Sequence, residues 1–153
     1  MKRSALLFAA VCRPLCRWGW CLALALPAFA SDWPAIEKAL GQQDWASAAP
    51  LIEQGLSEHP RDARLRLLQG MVLAKRGQLN AAQAQLTQLS LEHPELSEAH
   101  NNLGIVLALQ KNWGEAVAAF ERAHLADPKN SAAGQNLERA RAQWAQLQQA
   151  ESK

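Results

Sequence analysis

The residues best suited to chemistry in this chain are its four histidines, and their spacing does not describe a catalytic or metal site. His59 and His93 each precede a proline at equivalent positions of a sequence repeat, so both are expected in turns. His100 and His124 are isolated, with no carboxylate or second histidine at the spacing of metal ligands. We therefore predict no bound metal and no cofactor.

Patterns of nucleophilic and phosphate-binding sites are also missing from the sequence. It contains no G-x-S-x-G motif, no P-loop and no dinucleotide-binding glycine fingerprint. Glu92 and Glu95 flank a predicted turn, where we expect both carboxylates to be solvated. The prediction is a protein without catalytic residues.

The first thirty residues have the layout of a secretory signal peptide. They carry four basic residues and no acidic one, and an apolar run ends in the small residues Ala28 and Ala30. The run is too short to cross a bilayer comfortably. We expect cleavage after Ala30, leaving residues 31–153 with no membrane insertion; an uncleaved inner-membrane anchor is the alternative.

Removal of residues 1–30 changes the charge and the thiol content of the chain. All three cysteines lie there, so the mature chain has none. Four of the sixteen Lys and Arg residues are removed, leaving twelve against fourteen acidic residues, a net charge of 12 − 14 = −2. This charge gives no support to nucleic-acid binding.

Residues 31–153 repeat with a period of 34. The columns at this spacing are Gly70 and Gly104; Ala48, Ala82 and Ala116; Ile52, Leu86 and Phe120; Trp45, Leu79 and Trp113; and Pro60, Pro94 and Pro128. Ala, Leu, Gln and Glu dominate, and all four favour helices. We therefore predict an all-α domain with units at about 31–62, 63–96 and 97–130, followed by a capping helix at about 131–149.

Caps and breakers divide each unit into two helices. Asp32 is expected to cap a first helix that ends near Leu40, and a second follows over about 46–58. The next pair begins after Asp62 and turns at residues 77–80, and the third pair has Ser97 as its expected N-cap. A last helix beginning at Ser131 would cover the open end of the stack.

These residues resemble the tetratricopeptide repeat, through Leu103, Gly104, Leu107, Ala116, Phe120, Ala123 and Pro128 in the best-formed unit. The resemblance implies a right-handed α-solenoid whose first helices line a concave groove for a peptide or partner helix. Carried over by repeat position, the predicted groove residues are Arg64, Leu67, Met71, Lys75, Asn101, Ile105, Leu109 and Arg139. Leu67 stands where a carboxylate-clamp lysine would be needed, so the clamp of some family members is incomplete.

Taken together, the sequence predicts an exported, non-catalytic module that binds a protein or peptide, a scaffold or assembly factor in the periplasm of a Gram-negative bacterium. We interpret Leu67, Met71, Ile105 and Leu109 as an apolar strip that the helical pairs do not need for their own packing. Three alternatives remain: the strip is filled by the chain's own first helix or cap, the protein is a self-associating homo-oligomer, or it is an accessory subunit of an envelope enzyme complex.

Overall fold

The computed structural model describes residues 33–152, which form seven α-helices and no β-strand. The helices are α1 (Trp33–Gly41), α2 (Trp45–Glu58), α3 (Ala63–Lys75), α4 (Leu79–Glu92), α5 (Ser97–Leu109), α6 (Trp113–Ala126) and α7 (Ser131–Glu151). The predicted signal segment and Asp32 lie outside the described residues.

The helices pack as three successive pairs and a cap. α1 contacts α2, α3 contacts α4, and α5 contacts α6, while α7 packs on both α5 and α6. The first helices of neighbouring pairs also touch, α3 on α5 and α5 on α7, so the pairs stack along one direction. The predicted all-α solenoid of repeated helical pairs is confirmed.

In the second and third pairs, a glycine of the first helix lies against a large side chain of the second helix. This contact sets how closely the two helices pack where they cross. A Cβ added at Gly70 would lie 2.7 Å from the Leu86 side chain, and one at Gly104 would lie 2.6 Å from the Phe120 ring. With any larger residue at either position, the side chain of Leu86 or Phe120 would have to move. In the first pair, Ile36 takes the glycine position and is buried together with Ile52.

The turn inside each pair follows one hydrogen-bonding scheme. Asp44, Gln78 and Asn112 each donate the backbone N–H to the carbonyl five residues earlier, at 2.9 Å. This is the Schellman pattern, which places the preceding residue in the left-handed region. The prediction that residues 77–80 form the turn is wrong in extent: because Gln78 already closes it, α4 begins at Leu79.

Polar side chains cap several of the helices. Asp44, Asp62 and Asn130 accept backbone N–H groups at the starts of α2, α3 and α7. The prediction of Ser97 as an N-cap is wrong, because Ser97 is the first helical residue of α5. Its buried hydroxyl instead donates to the carbonyl of Ala123 at 2.8 Å and accepts from Asn130 Nδ2 at 3.1 Å.

The buried apolar residues form two clusters. One joins α1, α2 and α3 around Ile36, Ile52 and Leu65. The other joins α4 to α7 around Leu86 and Phe120.

α7 covers the end of the stack with a polar outer face. Its Glu138 and Arg141 occupy the repeat positions of Gly104 and Leu107, at which α5 receives α6. Arg141 pairs with Glu121 at 2.8 Å and with Glu138 at 3.4 Å. A further helix therefore has no apolar face on α7 of the kind that α6 finds on α5.

Candidate functional site

The predicted groove residues lie on three neighbouring helices. Arg64, Leu67, Met71 and Lys75 are on α3, Asn101, Ile105 and Leu109 on α5, and Arg139 on α7. α3 touches α5 and α5 touches α7, so these three helices lie side by side along the stack. The eight residues differ, however, in what else they contact.

The two cationic residues of α3 pack on tryptophans of the first pair. The Arg64 guanidinium stacks 3.8 Å from the centroid of the Trp33 ring and lies 3.6 Å from Glu37 Oε1. Lys75 Nζ lies 5.8 Å from the centroid of the Trp45 ring. Cation–π contacts of this kind orient a cation. Both side chains nevertheless remain exposed to solvent.

Leu67 and Met71 are half-buried. Leu67 packs against the cluster that joins α4 to α7, so the interpretation that the helical pairs do not need it for packing is wrong. Leu67 is thus a structural contact between pairs.

Ile105 and Leu109, by contrast, are 37% and 58% exposed. They line a depression of about 220 Å³ between α5 and α7, with Ala140 and Asn136 on the α7 side. Trp113 closes it at the start of α6. A space of this size can receive one large apolar side chain, since a cavity of about 150 Å³ already binds benzene.

Two further apolar side chains continue this surface along α7. Trp144 and Leu147 are 38% and 36% exposed, one and two turns beyond Ala140. The Trp144 ring lies 3.4 Å from where a Cβ of Gly114 would be, so it also covers the start of α6. We call Ile105, Leu109, Trp144 and Leu147 the α5–α7 apolar surface; it holds four of the six large apolar residues exposed within residues 33–152.

A polar contact joins α5 and α7 beside this surface. Asn136 Nδ2 donates to Asn101 Oδ1 at 2.9 Å, and both residues are half-buried. Asn101 and Asn136 therefore join α5 to α7. Arg139 lies exposed, one turn further along α7.

The histidines are far from a metal-site arrangement in the described part of the chain. No group of three or more His, Cys, Asp or Glu residues gathers within residues 33–152. The His100 ring is buried, its Nε2 lies 3.2 Å from the carbonyl of Pro94, and its Nδ1 has no partner. Burial lowers the pKa of His100, because the charged imidazolium would lose its solvation.

Sequence reasoning missed a second polar site, on the other side of α3. Glu92 is not simply solvated: it accepts hydrogen bonds from the buried Arg66 guanidinium and from Gln88 Nε2. These bonds, above all the one from Arg66, lower the pKa of Glu92. One feature of the sequence indicates this polar site: Gln69 stands at the repeat position that Leu103 occupies in the next unit.

No helix within residues 33–152 is long and apolar enough to cross a membrane. The described residues form a stack of helical pairs, the architecture of a helical-repeat protein. The tetratricopeptide repeat model matches residues 36–82 and 67–131, which together make up more than half of the chain, and the chain belongs to this family. Repeats of this family generally serve as non-catalytic scaffolds for protein interaction.

A search of curated proteins finds no match to this chain. Solved structures are similar in fold at low identity. The TPR domain of Sgt2 from Aspergillus fumigatus is 18% identical over 80% of this chain and 83% of its own, with a TM-score of 0.74. The second TPR domain of human RPAP3, in complex with the HSP70 peptide SGPTIEEVD, is 20% identical over 73% and 93%, with a TM-score of 0.65. The TPR2B domain of yeast Sti1, in a pHsp70 complex, is 17% identical over 75% and 97%, with a TM-score of 0.68.

Proposed function

We propose that the protein binds a peptide segment or helix of a partner protein through the α5–α7 end of its concave face. The observation that carries this proposal is the clustering of exposed apolar side chains in the α5–α7 apolar surface. Apolar groups gathered on one face of a protein commonly mark a site of interaction. The peptide complexes of the similar RPAP3 and Sti1 domains support the same type of ligand.

The α3 end contributes less to binding in this proposal. Arg64 and Lys75 already lie over the rings of Trp33 and Trp45, so a peptide that pairs with either cation would compete with these contacts. Ile105 and Leu109 need no such rearrangement. The partner is thus a segment that offers a large apolar side chain to the depression between α5 and α7.

The cellular role that we propose is a scaffold or assembly factor in the bacterial envelope, after export to the periplasm. Its support is the N-terminal sequence, with basic residues, an apolar run and Ala28 and Ala30 before the expected cleavage point. Expression in a Gram-negative host, followed by fractionation and N-terminal sequencing, tests it. A periplasmic product beginning at Ser31 is expected, and a full-length cytoplasmic product would contradict it.

The binding proposal is tested with a charge placed in the depression. The Ile105→Glu/Leu109→Glu variant should capture its partner at least tenfold less in periplasmic crosslinking followed by mass spectrometry. The matched control is Leu91→Glu/Leu125→Glu, which changes two leucines that are 77% and 78% exposed outside this surface. If both variants fold, by circular dichroism, and capture the partner equally, the proposal fails.

Self-association is the competing use of the same surface. An apolar face of this kind serves a second copy as well as a partner. Light scattering of the full chain across concentrations separates the two uses. A concentration-dependent dimer that the Ile105→Glu/Leu109→Glu variant abolishes would replace the partner proposal.

A further inference from the structure

A second cleft, which shares no residue with the α5–α7 apolar surface, opens where α2, α3 and α4 meet. It has a volume of about 890 Å³. Arg66 and Gln69 of α3 line one wall, and Gln85, Gln88 and Glu92 of α4 line the other. We call these five residues the α3–α4 cleft.

The cleft replaces apolar packing that the next unit has at the same repeat positions. Gln69 and Gln85 correspond to Leu103 and Ala119, which are buried in the core between α5 and α6. The two glutamines are only half-buried, and neither side chain has a hydrogen-bond partner within residues 33–152. Neither amide is sealed from solvent. Both can therefore offer donors and acceptors to a ligand.

Arg66 gives the cleft a fixed cationic group. Its side chain is only 9% exposed, and its Nη1 donates to Glu92. The remaining guanidinium N–H groups donate to no described residue, and none is sealed from solvent. Arg66 thus holds one carboxylate on α4 and keeps donors for a second, in the planar geometry that suits carboxylates.

The charges around the cleft favour an acidic ligand. Arg61 lies exposed at the rim, so Arg61 and Arg66 face the single carboxylate of Glu92, a surplus of one positive charge. The lining contains no aromatic ring on which a sugar or a base could stack, apart from the imidazole of His93 at its edge. Side-chain amides pair well with the N–H and C=O groups of an extended peptide.

From this arrangement we propose that the α3–α4 cleft binds an extended peptide segment of a partner. One acidic side chain of that segment lies against Arg66 and Arg61. Gln69 and Gln85 bond its backbone. This site is separate from the concave face, so its occupation does not depend on the function proposed above.

The first test finds and maps ligands even though the partner is unidentified. A phage-displayed random heptapeptide library is panned against the full-length protein, and enriched peptides are synthesised. We expect a group of peptides that share Asp or Glu and shift the ¹⁵N amide signals of residues 66–69 and 85–88. Replacing the acid by its amide should weaken binding at least tenfold. If no enriched peptide shifts these signals, the proposal is overturned, even where others map to Ile105 and Leu109.

The second test removes the site with residues that the chain already uses. Gln69→Leu/Gln85→Ala copies Leu103 and Ala119 of the next unit, so we expect an unchanged or higher Tm together with at least a tenfold loss of acidic-peptide affinity. Arg61→Ala, a change at the exposed rim, should weaken binding several-fold without touching the core. Ile105→Glu serves as the control and should leave this binding intact.

Two results of these experiments would contradict the proposal. One is equal binding of the acidic peptide to the wild type, to Gln69→Leu/Gln85→Ala and to Arg61→Ala. The other is a small-anion site, shown by free glutarate producing the same shifts with the same affinity as the peptide.

Discussion

In the second and third helical pairs, the two helices cross through the same kind of contact. The pairs differ in the side chains that lie next to this contact. Gly70 meets Leu86 in one, and Gly104 meets Phe120 in the other. Beside this contact the third pair buries apolar side chains, whereas the second has Gln69 and Gln85. A few small and large residues therefore set the crossing, and the neighbouring positions are free to acquire another role.

One repeat position shows the difference most directly. Arg66 in α3 reaches across to Glu92 at the end of α4. His100, at the equivalent position of the next unit, lies close to the carbonyl of Pro94 in the turn that precedes its own helix. The same position thus ties two helices together in one pair and anchors a turn in the next.

The largest effect in this comparison is expected from Gly104→Ala. The new Cβ would lie 2.6 Å from the Phe120 ring, within a tightly packed cluster. Overpacking of this kind costs about 1–3 kcal/mol in the free energy of unfolding. Urea denaturation followed by circular dichroism measures the loss.

Two matched variants show whether the cost comes from the crossing itself. Gly104→Ala should cost less in a Phe120→Ala background than in the wild type, because the ring atoms that the new Cβ would meet are then absent. Gly114→Ala places a Cβ at an ordinary 3.4 Å from Trp144 and should not destabilise the fold. Equal losses for Gly104→Ala and Gly114→Ala would disprove the close-approach argument.

A smaller effect is expected in the turns, where the pairs differ in one residue. The left-handed position is Gly77 in the second pair (φ 77°) and Lys111 in the third (φ 66°). A residue with a Cβ is destabilised there by about 1–2 kcal/mol. Nothing lies near the Cβ added at Gly77. Because Gly77→Ala also removes about 0.5–1 kcal/mol of conformational freedom from the unfolded chain, a net loss of up to about 1 kcal/mol is expected.

The reverse change in the third pair should stabilise it. Lys111→Gly relieves the left-handed strain but gives the unfolded chain about 0.5–1 kcal/mol of extra conformational freedom, so a net gain of up to about 1 kcal/mol is expected. Thermal unfolding of both variants gives the comparison. Stabilisation by Gly77→Ala, or destabilisation by Lys111→Gly, would contradict the assigned turn geometry.

The repeat period was enough to predict the helical pairs, because the crossing depends on columns visible in the sequence. Gly104 with Phe120 and the prolines between units each recur at that step. The cap helix was also predictable, since a helix from Ser131 carries an apolar side at Leu137 and Ala140. The prediction for Ser97 was wrong because its hydroxyl bonds the carbonyl of a residue far along the chain.

The candidate site was less predictable, since repeat position shows which side chains share a face but not which have other partners. Arg64 and Ile105 both belong to first helices. Only the fold shows that Arg64 stacks on Trp33 and that Ile105 lines an open depression. The α3–α4 cleft needed the structure as well, because a glutamine in a helix is usually a solvated residue.

The most delicate test of the comparison is the pH dependence that His100 should give the third pair. Its pKa is lowered in the fold, first by burial, so the unfolded state, with a pKa near 6.5, binds the proton more tightly. Stability contributed by neutral His100 is thus present above pH 6.5 and is lost as the pH falls toward the lower pKa of the folded state. Protonation would place an N–H on Nδ1, which has no acceptor.

The free energy of unfolding, measured by urea denaturation between pH 7.5 and 5.5, should fall less steeply for His100→Gln than for the wild type. If the free energy of unfolding had the same pH dependence in both proteins, burial would not lower the pKa of His100. The contrast between Arg66 and His100 would then lie in their packing and not in their charge.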